Sequence, residues 1–92
     1  MTDKLTWPKK DPSDVLDYQI DWASALGADT IASSVWTAPA GYTVNSNSFT
    51  PTTTTVWLSG GTPGTVGKIT NRITTAGGRT IERSVQQTVE EL

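Results

Sequence analysis

The sequence has 92 residues, a formal net charge of −2 and only 17% charged residues, which fits one small domain and excludes the basic footprint of a nucleic-acid binder or a polybasic membrane segment. Cysteine and histidine are both absent, which removes disulfides, thiolate chemistry, the usual zinc ligands and the commonest general base. Threonine fills 17 positions, beside eight glycines and five prolines, and a β-branched residue in that abundance favours pleated sheet over helix.

Residues 1–14, "MTDKLTWPKKDPSD", carry two prolines, six charges and no sustained period. Pro8 and Pro12 favour extended backbone in themselves and in the residue before each. The segment reads as an extended N-terminal arm outside a domain spanning 15–92. Leu5 and Trp7 are apolar in this otherwise polar tail, which reads either as a frayed terminus with an incidental tryptophan or, with Pro8, as an anchor for a neighbouring subunit, where aromatic residues carry much of the binding energy. No apolar run reaches bilayer-crossing length and no signal-peptide core follows Met1, so the chain is expected to fold in a cytosol.

In "VLDYQIDW", Leu16, Tyr18, Ile20 and Trp22 alternate with Asp17, Gln19 and Asp21, a period of two that sets one face toward a core. Trp22 is expected inside. After the turn-like "ASALGAD", the segment "DTIASSVWT" places Ile31, Ser33 and Val35 on one face and Ala32, Ser34 and Trp36 on the other. Pro39 and Gly41 mark a turn. "TVNSNSF" is polar enough for an edge strand or a loop around a buried Phe49. "PTTTTVWLSGG" follows, with Thr54, Val56 and Leu58 on one face and Thr53, Thr55 and Trp57 on the other. "VGKITNRITT" and "RTIERSVQQTV" form two long alternating runs around Gly77-Gly78, whose glycines are expected to supply the positive φ angles of a tight hairpin. Arg83 falls among apolar positions, and is expected near a strand end or opposite a carboxylate. Six or seven short strands with turn signals about every 8–12 residues point to an all-β, immunoglobulin-like two-sheet β-sandwich.

The chemical motifs do not hold up. "TPGTVGKI" approximates a phosphate-binding loop, but Thr62 replaces its first glycine, Ile69 replaces its hydroxyl, and a strand follows where a helix is required. Asp11, Asp14, Asp17 and Asp21 do not converge as the oxygens of a calcium loop must. Glu82, Glu90 and Glu91 share no evident cleft, and Ser59 has no histidine to activate it. The reading is a non-enzyme without cofactor or metal. Trp57, opposite the aliphatic face of its strand, is the remaining candidate contact residue, for a protein or for a sugar.

The stretches "VLDYQIDWASALGADTIASSVWTAP", "SFTPTTTTVWLSGGTPGT" and "ITNRITTAGGRTIERSV" resemble a family of small tailed-bacteriophage virion proteins, the phage fiber–tail adaptor or head-associated Ig-like proteins. The resemblance covers roughly residues 8–87 and implies a non-catalytic Ig-like part of a virion, assembled in the host cytoplasm. It would attach by protein–protein contacts to the major capsid, neck or fibre protein, as a head decoration or fibre/tail adaptor and as a homo-oligomer in the particle, with no nucleic-acid or membrane partner. The alternative is a carbohydrate-binding Ig-like module that adheres to host glycans through exposed tryptophan.

Overall fold

The computed structural model describes residues 5–7 and 9–91, the first two by backbone alone. Seven strands and one helical turn follow in order: β1 (Leu5–Thr6), β2 (Val15–Asp21), α1 (Ala23–Leu26), β3 (Ile31–Thr37), β4 (Tyr42–Phe49), β5 (Thr53–Gly60), β6 (Thr65–Thr75) and β7 (Thr80–Val89). They form a four-stranded sheet, β1-β7-β6-β3, facing a three-stranded sheet, β2-β5-β4. Every pairing is antiparallel except that of β1 with β7. β1 extends the four-stranded sheet beside β7. The two-sheet β-sandwich expected from the alternation is thus the fold, and α1 occupies the segment expected to be a turn.

The alternation decides which face is buried. Thr54, Val56 and Leu58 of β5, Ile69, Asn71 and Ile73 of β6, and Val85, Gln87 and Val89 of β7 are all buried. Ile20, Trp22, Leu26, Ile31 and Trp36 complete the core. β3 departs from the expected faces because a β-bulge falls between Ile31 and Ser33. One extra residue, Ala32, moves every later side chain to the opposite side. Ile31 and Trp36 therefore both point inward, with Trp36 only 8% exposed, while Val35 is 59% exposed.

At the centre, polar groups join the two sheets. The Trp22 indole N–H donates to Thr54 Oγ1 at 3.0 Å and to Asn71 Oδ1 at 3.2 Å. Thr54 Oγ1 donates to the same Asn71 oxygen at 2.7 Å. The Asn71 amide nitrogen donates to Ser34 Oγ at 2.9 Å and to the Val35 carbonyl at 3.1 Å. Buried polar groups are tolerated only when partnered, and here one asparagine satisfies groups from both layers. Arg83 lies over the Trp22 ring, its guanidinium carbon 5.3 Å from the centroid. This corrects the expected role of Arg83: it pairs with Asn71 in mid-strand, and its partner is the face of an aromatic ring.

Two further expectations are corrected. Phe49 is 44% exposed, because β4 is the outermost strand of its sheet. In the β6–β7 turn only Gly78 has a positive φ, 91°. Gly77 serves closeness instead, since a Cβ there would lie 2.8 Å from Asp29 Oδ2. Asp29 Oδ1 accepts the Gly77 amide at 3.0 Å and the Thr30 amide at 2.9 Å, and Arg79 Nε stands 3.6 Å from Oδ2.

The Thr75 hydroxyl, the Thr30 and Gly77 amides and the Arg79 guanidinium hold the Asp29 carboxyl below the usual aspartate range, with burial pushing the other way. A depressed folded value means that the unfolded chain binds the proton first. The stabilisation from Asp29 is therefore complete above the ordinary value of 3.8 and is lost as pH falls through the folded one. Asp29→Asn should flatten the acid limb of a stability–pH profile in that window, read by denaturant unfolding. An unchanged limb would remove Asp29 from the account of acid unfolding.

Candidate interaction surfaces

Trp57 sits mid-way along β5, the central strand of its sheet, between the buried Val56 and Leu58. Alternation therefore turns its indole outward, where it is 42% exposed. Asp17 of β2 pairs with it on one side and Ser46 of β4 on the other. Gln19 pairs with Thr55 and Val15 with Ser59, so the outer face is an aromatic ring amid short hydroxyl side chains, with Asp17 and Asp21 as the charges on these strands. Such a ring offers a large rigid contact area with little rotamer entropy to lose.

The N-terminal residues are extended and lie along the sheet. Leu5 and Thr6 pair parallel with Val85 and Gln86, and the Trp7 amide donates to the Gln86 carbonyl at 3.0 Å. The Trp7 ring stacks on Tyr18, with centroids 4.5 Å apart and planes 14° from parallel, and lies 6.0 Å from Trp36. Trp7 thus covers one flank of this chain's own core. Pro8 lies outside the described residues.

Lys10 was not singled out in the sequence, yet it is fully buried. Its ammonium donates to the carbonyls of Asp11 at 3.0 Å, Asp14 at 2.6 Å and Gly60 at 2.8 Å, while its backbone bridges Val89. Desolvation lowers its pKa, and the nearby charges of Asp14 and Asp11 pull it back up. A lysine in a charge-rich segment gives no sequence signal for such a role.

The remaining motifs acquire structural roles. Gly67 of "TPGTVGKI" lies under the Tyr42 ring and Pro39, where a Cβ would come within 2.8 Å of the ring. Ser59 Oγ donates to Asn45 Oδ1 at 2.8 Å. Glu82 pairs with Arg72 at 3.3 Å, beside a shallow cavity of about 250 Å³ also lined by Val35, Thr37 and Thr70. Among the described residues no cluster of three acidic side chains could hold a metal ion, and no helix is long and apolar enough to cross a membrane.

A family model described as Podophage GP4 fiber-tail adaptor protein gp77 matches residues 10–87, from the buried Lys10 to the buried Gln87. The chain belongs to this family. Comparison with curated proteins gives no match. Membership in the fiber-tail adaptor family makes the chain a bacteriophage structural protein, a component of the virion. The match contains the central network from Trp22 to Asn71, the Trp57 face and the Asp29 turn.

Proposed function

We propose that this adaptor-family chain is a non-catalytic connector, assembled into the virion in the host cytoplasm and held there by protein–protein contacts with neighbouring phage proteins and with further copies of itself. The observation that carries the reading is Trp57, a half-exposed indole on the central strand of its sheet. Aromatic residues are enriched at the energetic centres of interfaces. Many modest contacts repeated by particle symmetry give firm attachment without one tight site. Leu5 and Trp7 belong to the proposal as a second contact at the β1 flank, where Trp7 stacks on Tyr18, and Pro8, outside the described residues, belongs to it by its place in the sequence. The neighbour is a capsid, neck or fibre protein of the particle. The adaptor family name favours the junction between fibre and tail.

Trp57→Ser tests it. The variant should lose about 1 kcal/mol of stability or less, the range of a cross-strand pair, while its incorporation into particles falls sharply. Normal incorporation would remove Trp57 from the interface. The sugar-binding alternative draws on the same indole and its hydroxyl-rich surroundings. A saturable fluorescence shift with host-surface polysaccharide, lost in Trp57→Ala, would favour it over the protein contact.

A further inference from the structure

Between Asp29 and Lys68 the chain carries no charged residue over 38 positions, 30–67. These positions build β3, β4 and β5. β3 is the outer strand of one sheet and β4 of the other, and the two lie against each other. One flank of the sandwich therefore presents two free strand edges and no charge. On the opposite flank β2 carries Asp17 and Asp21 and follows Asp11 and Asp14, while β1 is only two residues long.

Soluble proteins guard free edges with charge, proline, brevity or covering segments. The β2 edge has charge and the β1 edge has brevity. The β4 edge has neither: it runs eight residues, "YTVNSNSF", without charge or proline, and seven of them are exposed. Among the described residues it pairs only with β5, so its outward backbone N–H and C=O groups face no described strand. Its one guard is an irregularity between Val44 and Ser46, and from Ser46 to Phe49 the register with β5 is regular.

We propose that β4 pairs antiparallel with β4 of a second copy of this chain, joining two three-stranded sheets into one across a two-fold axis. The charge distribution selects a second copy as the occupant. Two-fold pairing brings a strand alongside its own copy, so charges of one sign on that strand gather on both sides of the seam, which is destabilising where they come opposite. Pairing through β2 would bring the Asp17 and Asp21 carboxylates of two copies to one seam. Pairing through β4 opposes only uncharged residues, tyrosine, threonine, valine, asparagine, serine and phenylalanine, and turns the acidic flanks of two chains of charge −2 away from each other. The contact is isologous and closes at two copies. One strand pair buries less than the roughly 800 Å² per partner of a standard stable interface, so the dimer is concentration-dependent in solution and favoured where a particle holds copies close. The proposal deepens the self-association in the functional reading above, and is separable from attachment to the virion.

The test is sedimentation of the full chain over a wide concentration range, with amide hydrogen exchange of the same samples. The expected result is a monomer–dimer equilibrium in which residues 42–49 gain protection as the dimer fills. Asn47→Lys, which puts a cation from each copy at the same seam, should weaken the dimer by about tenfold or more, an energy difference of about 1.4 kcal/mol. Asp17→Lys on the far edge should leave it unchanged. Exchange on the unaltered chain keeps the test decisive if Asn47→Lys fails to fold. A chain that stays monomeric up to millimolar concentration, or a dimer that protects β2 and not β4, would overturn the proposal. Particle incorporation of Asn47→Lys, measured separately, reports on attachment and not on this pairing.

Discussion

Replacing Trp22 by alanine should remove about 3–5 kcal/mol of stability, the usual loss for a large buried aromatic. Domains of this size are stable by about 5–15 kcal/mol in total, so the variant would be largely unfolded at physiological temperature if the parent lies near the low end. Three losses coincide at this position. The core loses its largest buried side chain, Thr54 and Asn71 lose an indole donor shared between the two sheets, and Arg83 loses the ring beneath its guanidinium. Trp22→Phe separates them, because it keeps an aromatic ring and removes the N–H. It should lose about 1–3 kcal/mol, the penalty for leaving buried polar groups short of a partner. Denaturant unfolding, with the midpoint shifted and the slope unchanged, is the measurement. Equal losses in both variants would assign the stability to the hydrogen bonds alone.

The second large effect is expected at Lys10. Lys10→Met keeps a flexible apolar stem but strips the donor from three carbonyls, those of Asp11, Asp14 and Gly60. Removing the ammonium also relieves its own desolvation, which acts in the opposite direction. Carbonyls left short of a partner cost about 1 kcal/mol or more each, so the loss outweighs the relief and the net should be about 2–3 kcal/mol. Lys9→Met is the control. Lys9 makes an exposed ion pair with Glu90 at 3.4 Å, and such pairs contribute about 0–1 kcal/mol. Deleting the chain through residue 12 should be worse than Lys10→Met, since the Trp7–Tyr18 stack goes with it. A truncated chain with unaltered stability would show that these contacts add nothing to the fold.

These two residues show what could be read from the sequence. Trp22 closes an alternating strand, and Asn71 stands between Ile69 and Ile73 in the same period, so the central layer was legible from spacing. Trp57 was legible by the same rule, as the residue opposite Val56 and Leu58. The bulge at Ala32 was not legible, because it depends on how β3 meets β6 and not on the composition of β3. Lys10 was hidden for another reason: its partners are backbone carbonyls, one of them fifty residues away, and a carbonyl leaves no mark in a sequence. Arg83 was recognisable as out of place among apolar neighbours, but nothing in its spacing marks an aromatic face rather than a carboxylate as its partner. The acid-free, base-free run from Thr30 to Gly67 was in plain view, and acquired meaning only when β3 and β4 proved to be the two edges of one flank.

The central claim is that this chain is a fixed structural part of a phage particle, and it is tested most directly by quantitative mass spectrometry of purified, salt-washed virions against the major capsid protein. The account predicts a constant small copy number that matches a symmetric ring at the fibre–tail junction and survives washing. Absence of the chain from washed particles would contradict it.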